Sequence, residues 1–117
     1  MRELTIQGIT LHFARTEKEW KKEIDKRYDY DTLNKSYHHV VERDEAPILK
    51  LCIENGVKIP MGIHLMQKST DMERRIRFQK IIREMVEKDV WNVLQTIKKY
   101  SRLDPRCRKL VGEQMNA

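Results

Sequence analysis

Apolar residues recur at helical spacing through residues 70–100 more persistently than anywhere else in the chain. Set 100° apart, Ile82, Val86, Val90, Val93, Ile97 and Tyr100 share one stripe, with Phe78, Met85 and Leu94 at its margins. Arg77, Lys80, Glu84, Lys88, Gln95 and Lys98 lie on the opposite side, and so does Trp91. Thr70 followed three residues later by Glu73 has the capping-box spacing. No glycine or proline interrupts the run before Pro105. The pattern predicts one long helix over about 71–100, with the other segments covering its apolar side.

Ahead of it the period changes. Leu4 and Ile6, then Ile9, Leu11 and Phe13, alternate with polar residues on either side of Gln7-Gly8, which predicts a hairpin over residues 1–14. A lone hairpin is marginal in water, so its apolar side must lie on helices. Thr16 with Glu19 opens a helix whose inner face is Trp20, Ile24 and Tyr28. Asp31 is placed to cap a further helix, with Leu33, Tyr37, Val40 and Val41 inside, running to about Arg43. Asp44, Glu45, Ala46 and Pro47 read as the start of a short helix whose apolar run, residues 48–53, sits mid-core and which Asn55-Gly56 closes. Residues 57–66, with Pro60 and Gly62, predict an extended stretch and then one helical turn. Beyond Tyr100 a turn over 101–104 and then Asp104-Pro105 lead into a last short helix carrying Leu110 and Val111. The whole reads as one mostly α (α+β) domain spanning residues 1–117. Its parts are the hairpin, a bundle of about four to five helices over 17–100 dominated by the long one, and a basic segment over 101–117.

A chain of 117 residues buries roughly two thirds of its unfolded surface without staples. Cys52 and Cys107 have no metal-ligand or redox spacing, so they read as reduced thiols of a cytoplasmic protein. No apolar run is long enough to cross a bilayer, and no hydrophobic targeting stretch follows the charge of the first residues. Charge changes the picture more by where it lies than by its sum of +6. Residues 1–60 hold 11 Lys/Arg and 11 Asp/Glu, residues 61–97 hold 7 and 5, and residues 98–117 hold 6 and 2. Lys98, Lys99, Arg102, Arg106, Arg108 and Lys109 therefore make the C-terminal end cationic, suited to phosphates or to an acidic protein surface.

Candidate chemistry is sparse. His38 and His39 are adjacent, and on a helix they would point about 100° apart and could not share an ion as an i, i+4 pair does. That reading leaves His38 exposed and His39 at a helix boundary, with no metal. Glu42, Asp44 and Glu45 cluster, but as a cap and an acidic first turn they have structural duties. Neither Ser69 nor Ser101 lies in a nucleophile-elbow sequence, and Cys107 between Arg106 and Arg108 has no evident base. The expectation is a protein that is not an enzyme and carries no cofactor.

Trp91 stands out because its chemistry conflicts with its helical phase, and tryptophan is among the residues most enriched as interface anchors. The sequence therefore points to a small regulatory or adaptor protein. It would bind and modulate a protein partner through the outer face of its long helix, at Trp91, Lys88, Gln95 and Lys98, and through the basic C-terminal segment. The alternative is a nucleic-acid-binding module in which Lys99, Arg102, Arg106, Arg108 and Lys109 meet a phosphate backbone. A homodimer paired about a two-fold axis through the Trp91 face is a further arrangement. No membrane partner is expected.

Overall fold

A computed structural model describes residues 1–28 and 35–103, apart from the side chains of Lys35, Lys68, Arg102 and Leu103. Its elements follow in the order β1 (Arg2–Ile6), β2 (Ile9–Phe13), α1 (Glu17–Arg27), β3 (Lys35–His39), β4 (Gly56–Pro60), α2 (Met61–His64), α3 (Met72–Glu84) and α4 (Lys88–Leu103). Mixed α/β is the class: among the described residues, four helices and two separate two-stranded antiparallel sheets. No helix among them is long and apolar enough to cross a membrane.

The hairpin β1–β2 forms in the expected register, with Leu4 opposite Leu11. Both turn residues, Gln7 at φ 53° and Gly8 at φ 79°, take the left-handed conformation that a tight two-residue hairpin requires. Leu4, Leu11 and Phe13 point the same way and pack with Val93, Leu94 and Ile97 of α4. Val41, Leu49 and Cys52 close the same cluster. Thr16 caps α1 by accepting a hydrogen bond from the Glu19 backbone N–H at 3.1 Å, and Trp20 and Ile24 are the buried face.

A second layered unit surrounds the β3–β4 ribbon. Its register places Tyr37 opposite Lys58, His38 opposite Val57 and His39 opposite Gly56. Because side chains alternate along a strand, Tyr37, His39, Gly56 and Lys58 face α1, while Ser36, His38, Val57 and Ile59 face α2 and α3. The α1 side is polar and aromatic: His39 stacks on Trp20 with ring centroids 4.5 Å apart. On that side too, Asp25 accepts hydrogen bonds from the Tyr37 hydroxyl at 2.8 and 2.9 Å and pairs with Lys58 at 3.2 Å. The other side is apolar, with Val57 and Ile59 packed on Phe78 and Ile82 of α3.

Three expected helices differ from the structure. Part of the segment read as a helix over 31–43 is strand β3; residues 29–34 lie outside the described residues. Tyr37, Val40 and Val41 satisfy a helical stripe, but as a strand paired with β4 the segment packs Tyr37 and His39 on α1 and His38 on α2 and α3, two faces at once. The short helix after Asp44 is instead two 3-10 turns, Pro47–Leu49 and Ile53–Asn55, and Asp44 caps neither. Asn55 ties the segment together instead. Its buried amide accepts from Val41 N–H at 2.8 Å and donates to the carbonyls of Val41 and Leu49 at 3.0 and 3.2 Å, so the Leu49 carbonyl is shared between this side chain and a 3-10 bond from Cys52 N–H rather than an α-helical one. Gly56, at φ −108°, is accordingly no left-handed helix end. The mid-core placement of this segment does hold, since Leu49, Cys52 and Ile53 are buried.

The long helix over 71–100 is two helices. Asp71 rather than Thr70 caps α3, accepting from Glu73 N–H at 3.0 Å, and the helix ends at Glu84. Continued straight, the mean direction of Phe78 and Ile82 would lie about 90° from that of Val93, Leu94 and Ile97. The two sets belong to different clusters, the first on the β3–β4 ribbon and the second on the hairpin. Breaking the helix at residues 85–87 aims each half at its own partner, and Met85 and Val86 fill the corner. At the far end α4 continues through Leu103 instead of turning after Tyr100, and Tyr100 is exposed rather than on the inner stripe. The short helix expected beyond Asp104-Pro105 lies outside the described residues.

Candidate partner-binding site at the α3–α4 elbow

The break that re-aims α4 creates a concavity. Lys80, Arg83, Glu84, Val86, Lys88 and Trp91 line a hollow of about 320 Å³ where α3 meets α4. Trp91 sits one turn into α4, its backbone N–H donating to the Glu87 carbonyl at 2.8 Å. With Val93, Leu94, Ile97 and Ser101 as the buried side of α4, Trp91 lies about 100° from the centre of that side. It is half-buried as a result. The Arg83 guanidinium covers one ring face at 4.8 Å from the centroid, a cation–π arrangement worth about 0.5–1 kcal/mol at an exposed site. Among the described residues no acceptor takes the indole N–H.

Around the hollow the surface is cationic. α3 carries Arg74, Arg75, Arg77, Lys80 and Arg83 against Glu73 and Glu84, and all seven are exposed. Arg74 pairs with Asp71 at 3.9 Å. Arg75, Arg77, Lys80, Arg83 and Lys88 form no ion pair with any described residue. Apolar side chains are interleaved with them: Met72 is 65%, Ile76 61% and Leu65 63% exposed. Spacings of four put Met72, Ile76 and Lys80 in one row, with Arg83 beside it, running into the Trp91 hollow. The first half of α3 thus presents a mixed apolar and cationic face to solvent.

The residues expected from sequence are only partly gathered here. Trp91 and Lys88 line the hollow. Gln95, one turn further along α4, is half-buried outside it. Lys98 is tied to Glu45 at 2.8 Å and so serves the docking of α4 on the 42–46 turn. Lys99 is exposed on α4, the side chain of Arg102 is not described, and Arg106, Arg108 and Lys109 lie outside the described residues. Arg83, together with the exposed Met72 and Ile76, was missed. The signal available was the spacing of cations in RRIRFQKIIR, five in ten residues.

A second constellation lines a cleft of about 710 Å³ between β3, the turn after it and α2. His38 is not exposed, as the sequence suggested, but 6% accessible, wedged edge-on against Phe78 at 4.9 Å and His64 at 5.7 Å between ring centroids. Burial above all, then the neighbouring His64 and His39, lowers its pKa to about 4, so the ring is neutral at physiological pH. His64 Nδ1 meets Ser36 Oγ at 3.2 Å, and Glu42 accepts from Gln67 Nε2 at 2.7 Å. Among the described residues no three His, Cys, Asp or Glu side chains are placed to hold a metal ion. Glu42, Asp44 and Glu45 likewise disperse, Glu42 to Gln67 and Glu45 to Lys98.

Comparison with protein-family models, curated protein sequences and solved structures finds no match for this chain.

Proposed function

We propose that this chain is a non-enzymatic regulatory or adaptor module that binds a protein partner through the face formed by α3 and the start of α4. One observation carries the reading: a half-buried tryptophan whose N–H no described residue accepts, held in a hollow rimmed by Lys80, Arg83 and Lys88. Among the described residues, none pairs with these cations or with the indole N–H. Tryptophan, arginine and methionine are the residues that interfaces concentrate, and they do so beside a polar rim. The exposed Met72, Ile76 and Leu65 favour a protein over a nucleic acid as partner, because aliphatic side chains gain little against phosphates. Binding nucleic acid through the cations alone remains the competing reading.

Site-specific photocrosslinking separates them. A photoreactive residue replaces Glu84, at the hollow, or Lys18, on the exposed side of α1, in cells that express the chain. Nuclease-resistant protein adducts at 84 and none at 18 are expected. Adducts that vanish with nuclease transfer the reading to nucleic acid, and equal labelling at both positions refutes a defined site. Trp91→Ala, half-buried, is expected to cost the free fold about 1 kcal/mol and the complex about 2 kcal/mol or more.

A further inference from the structure

We infer that the α3–α4 hollow recognises an acidic peptide segment of its partner, in which carboxylates engage Lys80, Arg83, Lys88 and the indole N–H while a neighbouring apolar side chain fills the floor. This rests on the partner-binding reading above and names the chemistry of what is bound.

The occupant follows from charge and shape together. Three cations and one carboxylate, Glu84, surround the hollow, and the cations make no ion pair with described residues. An incoming anion therefore displaces no carboxylate among the described residues. Trp91 offers its edge, since Arg83 already covers one ring face at 4.8 Å. A nucleobase stacking on that face would have to displace Arg83, whereas an in-plane acceptor can take the N–H, which no described residue accepts. A carboxylate also suits the guanidinium of Arg83, which makes no ion pair with a described residue and carries several N–H donors matched to a carboxylate. The floor, Val86 and Trp91, is apolar. A volume of about 320 Å³ is near the small end of ligand sites, about 300–1,000 Å³, and has room for a side chain or two rather than an extended cofactor. A second copy of this chain is disfavoured, because the same face would bring two cationic α3 helices together.

Selection from a randomised displayed-peptide library against the full chain tests this, followed by binding of the enriched peptides in solution. The expected peptides carry two or more Asp/Glu flanking one large aliphatic or aromatic residue. Their affinity is expected to fall at least tenfold when that residue becomes glycine, and at least tenfold in Trp91→Ala. In the double variant Lys80→Glu/Lys88→Glu, whose sites are both exposed, binding is expected to be lost while melting is unchanged. Should Trp91→Ala prove unstable, Trp91→Phe, which deletes the N–H but keeps a ring, is expected to weaken binding several-fold. Enriched peptides without acidic residues, no enrichment, or binding indifferent to both sets of variants would overturn the inference. Inorganic polyphosphate and a short oligonucleotide serve as competitors: competition that does not depend on the peptide's apolar residue shows a charge-only surface and also overturns it. If crosslinks form at position 84 but no acidic peptide is selected, partner binding stands and only this chemistry falls. Failure of both removes the site.

Discussion

Replacing Gly56 by alanine tests the packing of α1 on the β3–β4 ribbon more directly than any other single change. Gly56 takes φ −108° and ψ 137°, extended backbone open to any residue, so the requirement for glycine is purely steric. A Cβ there would stand 2.1 Å from Ile24 Cδ1, 2.7 Å from Trp20 Cζ2 and 2.9 Å from Ile24 Cγ1. Carbon atoms prefer separations of about 3.5–4.0 Å, so the nearest contact falls short by some 1.5 Å. Relief requires α1 to lift off the ribbon, or Ile24 and Trp20 to leave their rotamers. Trp20 is held, because its indole N–H donates to the Cys52 carbonyl at 2.9 Å. Overpacking of this kind costs about 1–3 kcal/mol, and with both neighbours fully buried the upper end is expected.

Urea unfolding of Gly56→Ala should therefore show a loss of about 3 kcal/mol, or roughly 10–15 °C in Tm for a domain of this size. Ile24→Val, which deletes the offending Cδ1, should alone cost about 1 kcal/mol. The double variant should be more stable than the sum of the two losses predicts, by about 1–2 kcal/mol, because the shortest contact is gone and the other two remain. Strict additivity, or a Gly56→Ala protein as stable as the parent, would refute the close approach of α1 to β4.

Three further outcomes follow from buried polar groups. Asn55→Asp removes the amide donors that face the Val41 and Leu49 carbonyls and buries a charge in their place; a loss of about 3–5 kcal/mol by urea midpoint is expected, and a loss below about 1 kcal/mol would show that this bridge does not organise the 41–55 turn. His38, lowered from 6.5 to about 4, binds fewer protons in the folded than in the unfolded state between those values, so its contribution to stability is full above about pH 6.5, declines as pH falls and levels off below about 4. That decline, on the order of 3 kcal/mol, should disappear from the pH dependence of unfolding in His38→Leu. Burial pushes the Cys52 thiol well above its ordinary range, the nearby Glu54 carboxylate adding to the effect; in a Cys107→Ser background the native protein should leave a thiol reagent unreacted until it is unfolded, and rapid native labelling would place Cys52 at the surface.

The candidate site was legible only in part. Trp91 could be singled out because it fell on the polar side of a helical wheel, and Lys88 followed as its neighbour. Arg83 and the concave shape could not be read, because both depend on the helix ending at Glu84, and nothing in the residues between Arg83 and Lys88 is a glycine, a proline or a strong cap. Lys98 looked like part of the outer rim until the 42–46 turn brought Glu45 within 2.8 Å of it.

What the sequence alone determined is what local chemistry controls. The hairpin at Gln7-Gly8 needs only two residues able to take positive φ between alternating strands. The start of α1 needs only Thr16 and the backbone three residues on, and the strand-then-turn reading of residues 57–66 needs only the restrictions around Pro60. Periodicity also identified much of the core, from Trp20 and Ile24 to Val93 and Ile97, because burial follows the face and not the neighbour. Tertiary structure decided everything that depends on which neighbour is there. Residues Tyr37–His39 suit a helix or a strand about equally by pattern, and pairing with β4 between two helical layers selected the strand. Residues 48–53 had the composition of a buried helix, but they fold as part of two 3-10 turns that the buried Asn55 side chain bridges to Val41 and Leu49. The run from 72 to 103 kept its helical propensity on both sides of a break that propensity does not favour, because Phe78 and Ile82 are buried in one cluster and Val93, Leu94 and Ile97 in another. The break that resulted is where Trp91 and its cations meet.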